Sequence, residues 1–91
     1  MKLDFNKPIL GLDDQAIPES NLGKLVANVI TSNTKGDAIK LYDWGRTLYK
    51  GEVLDLDRAD QDVLKNLIKD SDSITILTKA QALEVFKKEN D

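Results

Sequence analysis

Residues 37–51, DAIKLYDWGRTLYKG, contain the best-specified helix of the chain. Asp37 stands at the N-cap position, where a carboxylate accepts hydrogen bonds from the unpaired N–H groups of a first helical turn. Gly51 stands just past the last turn, where many helices end in the left-handed backbone conformation that favours glycine. The apolar residues between the two caps recur every three or four positions and therefore share one face, with Trp44 at its edge. The residues of that face are Ala38, Leu41, Tyr42, Gly45, Leu48 and Tyr49.

Two elements precede this helix. Residues 2–17 contain alternating apolar positions, and the turn-like Asp13-Asp14-Gln15 between two apolar stretches predicts a short β-hairpin. Because an isolated hairpin is marginal in water, we expect it to lie against the helices. Ser20 or Asn21 then offers an N-cap for a first helix. The apolar side of that helix comprises Leu22, Leu25, Val26, Val29 and Ile30.

A strand or linker and a third helix follow the central helix. Residues 53–57 alternate apolar and polar, which fits either a third strand meeting the N-terminal hairpin or an extended linker. Asp57 is the predicted cap of the third helix, and Asp60 occupies the position of the acidic residue of a capping box. The predicted buried face is Ala59, Val63, Leu64, Leu67 and Ile68.

The last part of the chain predicts a fourth helix and completes the fold class. The loop 70–73 ends in a predicted cap, and the charged residues 87–91 form a tail that we expect to fray. The apolar positions of the fourth helix are Ile76, Leu77, Ala80, Leu83 and Phe86. Together these elements predict an α+β fold, with a short N-terminal β-hairpin packed on a bundle of about four helices. We predict a single domain over residues 1–91, with the hairpin in 1–18 and the helical part in 21–88.

The size of the chain sets its stability. With 91 residues it buries about 60–65% of its unfolded surface, so we expect a margin of a few kcal/mol. An apolar content of 41% is enough for a packed core. The residues that lie centrally in their apolar arcs, and should be largely buried, are Leu25, Val29, Leu41, Leu48, Leu64, Leu67 and Leu83.

Composition argues against enzymatic chemistry. The chain has no cysteine and no histidine, which excludes disulfides and thiol catalysis and removes the commonest general base and metal ligand. The serines have no nucleophile-elbow context, and the glycines form no phosphate loop. We therefore predict no catalytic residues, no cofactor and no enzyme. Because there is no signal-peptide pattern and no apolar run of about 20 residues, we expect a soluble cytoplasmic protein without membrane contact.

A series of four aspartates raises the question of a metal site. Asp55, Asp57, Asp60 and Asp62 offer the carboxylate oxygens that hard cations prefer. The calcium-loop pattern fails, however, because Asp60 replaces the required turn glycine and Asn66 replaces the final carboxylate. Acidic residues in a first helical turn are explained by the free N–H groups and the positive end of the helix dipole. We interpret the series as a helix start and predict no metal.

The first two helices also suggest a nucleic-acid alternative, because consecutive helices can form a helix-turn-helix. The second helix would present Asp37 and Asp43 to the major groove of DNA, where carboxylates repel phosphates. The basic residues alternate with acidic ones, and the net charge is −3. We therefore do not expect nucleic acid as the main partner, and a DNA-associated regulator acting through these helices is kept as the alternative.

Aromatic residues of the central helix point instead to protein contacts. Trp, Tyr and Arg dominate interface hot spots, although a small protein also uses its aromatic residues as core. The helical angle of Trp44 places it at the rim of the apolar face, so we expect it to be partly exposed and to become buried in a homodimer or in a complex with another protein. The predicted partner-binding residues are Trp44, Lys40, Arg46 and Thr47.

The layout of the chain resembles that of small uncharacterised proteins encoded by tailed bacteriophages and prophages. The stretches that carry the resemblance are KLDFNKPILGLDDQAI (2–17), NLGKLVANVI (21–30), DAIKLYDWGRTLYKG (37–51) and DLDRADQDVLKNLI (55–68). The resemblance implies a phage accessory protein that acts in assembly or regulation through contacts with other proteins, including phage-encoded ones. It brings no catalytic or ligand motif.

Overall fold

The computed structural model describes residues 2–90, and the side chains of residues 2–87. Within this range the chain forms four helices and two short strands. They are β1 (Lys2–Leu3), α1 (Leu22–Thr31), α2 (Ala38–Tyr49), β2 (Leu54–Asp55), α3 (Arg58–Asp70) and α4 (Ile76–Asn90). The predicted α+β class, with N-terminal β structure on four helices, is confirmed.

Side-chain caps determine where the first three helices begin. Asn21, Asp37 and Asp57 each accept a hydrogen bond from the backbone N–H three residues later. These bonds satisfy donors that have no partner inside a helix. At the other end of α2, Gly51 adopts the predicted left-handed conformation, with φ of 81°. The predicted caps of α1, α2 and α3 are therefore confirmed.

The β structure joins the two halves of the chain. β1 pairs antiparallel with β2, with Leu3 opposite Leu54, so residues 53–57 contain a strand and are not a simple linker. The predicted hairpin over residues 9–17 is held by a bridge between Leu10 and Ala16. Its end is closed by a 2.8 Å hydrogen bond from the Ile17 N–H to the Ile9 carbonyl.

The N-terminal segment lies in the centre of the core. Phe5 is fully buried and packs edge-to-face on Phe86 of α4, with ring centroids 5.8 Å apart. Its carbonyl also accepts the N–H of Gly23, while the Lys7 carbonyl accepts that of Leu22. The segment therefore fills the core and satisfies two donors in the first turn of α1.

Three of the seven predicted core residues are buried and four are half-buried. The buried ones are Leu41, Leu48 and Leu64. The half-buried ones are Leu25, Val29, Leu67 and Leu83. Leu25, Leu67 and Leu83 pack against the core from its border, where their long side chains are only partly covered.

Helix α4 is rotated relative to its prediction. Thr75 caps it in place of the predicted Ser73, because the Thr75 hydroxyl accepts the N–H of Thr78 at 3.3 Å. Ile76, predicted to be buried, is 81% exposed. The inward side is formed by Thr78, Ala82, Val85 and Phe86. The contact of Phe86 with Phe5 sets this rotation.

The charged residues 87–91 are the predicted tail of the chain. α4 includes residues 87–90 of that tail. Asp91 lies outside the described residues.

Candidate protein-binding groove

Helices α1 and α2 approach closely because small residues meet between them. A Cβ atom on Gly45 would lie 2.5 Å from Cγ2 of Thr31, and one on Gly23 would lie 3.0 Å from the Leu48 carbonyl oxygen. Real Cβ atoms essentially never come as close as the first distance, and the second is tighter than most Cβ contacts. Glycine at these two positions therefore allows the backbones of the two helices to approach.

This approach leaves a groove along one side of the helix pair, which we call the α1–α2 groove. Its cavity measures about 270 Å³. Its lining residues are Ala27, Asn28, Thr31, Tyr42, Gly45, Arg46, Tyr49 and Lys50. Tyr42 precedes Gly45 by three residues and Tyr49 follows it by four, so both flank the close contact. Their exposed fractions are 60% and 55%, respectively.

Cations surround the two tyrosines. The Arg46 guanidinium lies 5.7 Å from the centroid of the Tyr42 ring, and the Lys24 ammonium lies 5.2 Å from that of Tyr49. Such contacts hold long side chains along an aromatic face. Lys50 adds a further cation, and none of the described residues that line the groove is acidic. The groove is thus locally basic, although the chain carries a net charge of −3.

Trp44 lies outside the groove, and the prediction that it is partly exposed is wrong. Its side chain is only 5% exposed and belongs to the core with Leu41 and Leu48. The prediction that Tyr42 and Tyr49 share the buried face is also wrong. Because α1 contacts the Gly45 side of α2 at short range, no space remains there for two tyrosine rings. The core-facing side of α2 takes the indole instead.

Lys40 contacts helix α3 instead of the groove. Its ammonium donates a 2.9 Å hydrogen bond to Oδ1 of Asp60. This hydrogen bond, and secondly the charge of the same carboxylate, raise the pKa of Lys40 above its ordinary value. Lys40 therefore connects the first turns of α2 and α3 and lies 5.9 Å from the Trp44 ring centroid.

Thr47 is also engaged inside its own helix, since its hydroxyl donates to the Asp43 carbonyl at 3.0 Å. Of the four predicted partner-binding residues, the structure therefore places only Arg46 in the groove. Tyr42 and Tyr49 were assigned to the wrong side of α2. The signal that could have placed them is the row of small residues Gly23, Ala27 and Thr31 on α1. Because they are four residues apart, they lie on the same face of α1, and their small size indicates that another helix approaches closely there.

Two members of the aspartate series, Asp57 and Asp60, lie at the start of α3. Asp57 caps α3, and Asp60 accepts from Lys40, which confirms the capping interpretation of Asp57. Within the described residues, no group of three or more histidine, cysteine, aspartate or glutamate side chains is placed to hold a metal ion.

Comparisons with protein-family models, with curated proteins and with solved structures found no match to this chain. The resemblance to phage proteins thus stays a prediction from sequence patterning. In residues 2–90, no helix has the length and apolar character needed to span a bilayer.

Proposed function

We propose that this protein is a non-enzymatic interaction module that binds a protein segment in the α1–α2 groove. The observation that carries the proposal is the pair of exposed rings, Tyr42 and Tyr49, on either side of a floor of small residues. Phage assembly or regulation is the setting that the sequence resemblance suggests for such a module.

The chemistry of the groove suits a protein ligand. Two tyrosine rings offer large apolar area at a low cost in side-chain entropy, and each keeps a hydroxyl for a polar contact. The small residues Ala27 and Gly45 leave the floor open, so a side chain of the partner can enter between the rings. Arg46 and Lys50 at the edge provide the polar rim that surrounds the centre of most interfaces.

DNA binding through α1 and α2 is the second candidate function, and the basic character of the groove is what favours it. The two candidates differ in salt dependence. Phosphate contacts weaken steeply between about 50 and 200 mM salt, whereas an apolar anchor between two rings does not. If the protein binds a DNA duplex at about 50 mM salt and releases it at about 200 mM, DNA binding is favoured over the protein-binding function.

The direct test selects peptides from a random library on the folded protein and maps their contacts by amide chemical shifts in NMR. We expect the largest shifts at Ala27, Thr31 and Gly45, on the floor of the groove. Tyr42→Ala and Tyr49→Ala each remove one ring of the groove. The variant that loses the ring anchoring the peptide should bind it about tenfold more weakly or worse.

Ile39→Ala is the matched control, because Ile39 is an exposed apolar residue of the same helix that does not line the groove. Its affinity for the selected peptides should equal that of the wild type. A different depression, of about 470 Å³, lies between the loops that follow α1 and α3. Peptides whose shifts cluster there, around Asn33 and Ser73, would contradict the proposal.

A further inference from the structure

The tip of the N-terminal hairpin presents an apolar side chain next to two acidic ones. Leu12 is 95% exposed and is followed by Asp13 and Asp14. The turn is fixed by hydrogen bonds from the Gly11 N–H to the Gln15 carbonyl and from the Asp14 N–H to the Gly11 carbonyl, at 2.9 and 3.0 Å. The tip thus has a defined shape, with its leucine held in solvent.

The hairpin is also fixed to the rest of the molecule. The side-chain amide of Gln81 in α4 accepts from the Leu10 N–H and donates to the Leu10 carbonyl, at 2.9 and 2.7 Å. A loop anchored in this way loses little conformational entropy when it binds, which favours association.

From these observations we infer that the hairpin tip of one copy inserts Leu12 into the α1–α2 groove of a second copy. The inference rests on the proposed function of the groove and names its occupant. In this contact, the Leu12 side chain fills the space between Tyr42 and Tyr49. Asp13 and Asp14 then lie next to the cationic edge of the groove.

Charge complementarity selects this segment. The groove has Arg46 and Lys50 and no acidic residue among the described lining residues. The tip has two adjacent carboxylates and no cation between Pro8 and Lys24. Opposite charges on two surfaces steer them together and disfavour other partners. None of residues 9–17 lines the groove of its own chain, so the contact joins different copies.

The contact is head-to-tail, since the two surfaces in it are different. Because each copy has one tip and one groove, the assembly either closes into a ring or grows as an open chain whose two end copies each keep one unoccupied surface. One leucine and two carboxylates make a small contact, and small interfaces are weak. We expect a dissociation constant of about 10 µM to 1 mM, so that assembly depends on local concentration.

The test is sedimentation of the full chain from about 10 µM to 1 mM, at low and at moderate salt. The wild type should associate as its concentration rises, and less so at higher salt. Leu12→Ser removes the anchor and should weaken association about 10- to 100-fold. Arg46→Glu reverses the groove charge and should weaken it as well.

Mixing the two variants gives the sharpest result. Leu12→Ser keeps an intact groove and Arg46→Glu keeps an intact tip. In an equimolar mixture, the only productive contact is therefore that of the Arg46→Glu tip with the Leu12→Ser groove. We expect the mixture to stop at a dimer, whereas the wild type continues to larger species. Tyr49→Ala is a second groove variant without a charge change, so the test survives a folding defect in Arg46→Glu.

Ile76→Ser and Asp72→Lys are the matched controls, because both residues are exposed and lie outside the tip and the groove. They should associate like the wild type. A wild type that remains monomeric at about 1 mM overturns the inference, as does association that neither the tip nor the groove variants weaken. The NMR mapping of selected peptides, described for the proposed function, decides separately whether the groove binds protein segments at all.

Discussion

The two sides of helix α2 carry aromatic residues with opposite environments. Trp44 is buried on the side that faces the core, whereas Tyr42 and Tyr49 are exposed on the side next to α1. Hydrophobicity alone would not separate them in this way, because each ring is large. The distance to the neighbouring helix separates them: Gly45 brings α1 so close that rings beside it must turn outward. A small residue can therefore decide which large residues of its own helix remain available for binding.

The largest effect should follow from removing the buried ring. Trp44→Ala should lower the free energy of unfolding by about 3–5 kcal/mol, because it removes a large side chain and leaves a cavity. Against the margin of a few kcal/mol expected for a chain of this size, this is a severe loss. Denaturant titration followed by circular dichroism measures it. An unchanged midpoint would mean that the indole is not in the core.

Local features of the fold could be predicted from the sequence, whereas helix rotations could not. The caps Asp37 and Asp57 act within three residues along the chain, so their pattern alone identifies them. The rotation of α4 depends on Phe86 meeting Phe5, which is 81 residues earlier in the chain. The weak apolar periodicity of α4 does not contain that information.

The close contact between α1 and α2 gives the second prediction. Gly45→Ala should destabilise the protein by about 1–3 kcal/mol, because the new methyl group overlaps with Cγ2 of Thr31. Thr31 cannot rotate without cost, since its hydroxyl donates a 2.8 Å hydrogen bond to the Ala27 carbonyl. Thermal unfolding at matched concentration measures the loss.

A compensating substitution tests the cause. Thr31→Ser removes Cγ2 but keeps the hydroxyl, so it should restore most of the stability lost in Gly45→Ala. If the double variant is as unstable as Gly45→Ala, the overlap with Thr31 is not the reason for glycine at this position.

The candidate site was only partly predictable for the same reason. The composition of α2 identified an aromatic and basic surface, and Arg46 was assigned to it. The helical pattern placed Trp44 at the rim of the apolar face and therefore in the predicted binding surface, because periodicity treats the apolar face as one continuous arc. The position of Gly45 opposite Thr31 divides that arc, and this is a property of the helix pair.

The exposed rings should contribute little to stability. Tyr42→Ala and Tyr49→Ala should each cost about 1 kcal/mol or less, the scale of an exposed cation–π contact. Each ring loses mainly its contact with Arg46 or Lys24. Denaturant midpoints of the two variants, beside that of Trp44→Ala, measure the contrast between the sides of α2. A loss as large as that of Trp44→Ala would show that the tyrosines belong to the core and are unsuited to binding a partner.

The smallest effect concerns the ion pair between Lys40 and Asp60. Its pH dependence appears only at high pH. The hydrogen bond to Asp60 raises the pKa of Lys40 above 10.5 in the folded protein. A group with a raised pKa in the folded state adds stability that is fully present below its unfolded pKa and is lost as the pH rises through the folded pKa. Lys40→Met should therefore lie below the wild type in stability by a constant amount at neutral pH. The gap should narrow as the pH rises beyond 10.5.

The comparison of wild type with Lys40→Met cancels other groups that titrate in the same range, because both proteins contain them. Repeating it in Asp60→Asn isolates the pair, as in a double-mutant cycle. Without the carboxylate, the pH-dependent part of the gap should become smaller, because Asp60 is the largest cause of the raised pKa of Lys40. A pH-dependent part that persists would come from the charges of Asp37 and Asp57 and from the contact of the Lys40 ammonium with the Trp44 ring, because both require the protonated lysine. Because the ion pair of Lys40 and Asp60 is exposed, added salt should also reduce the pH-dependent part of the gap.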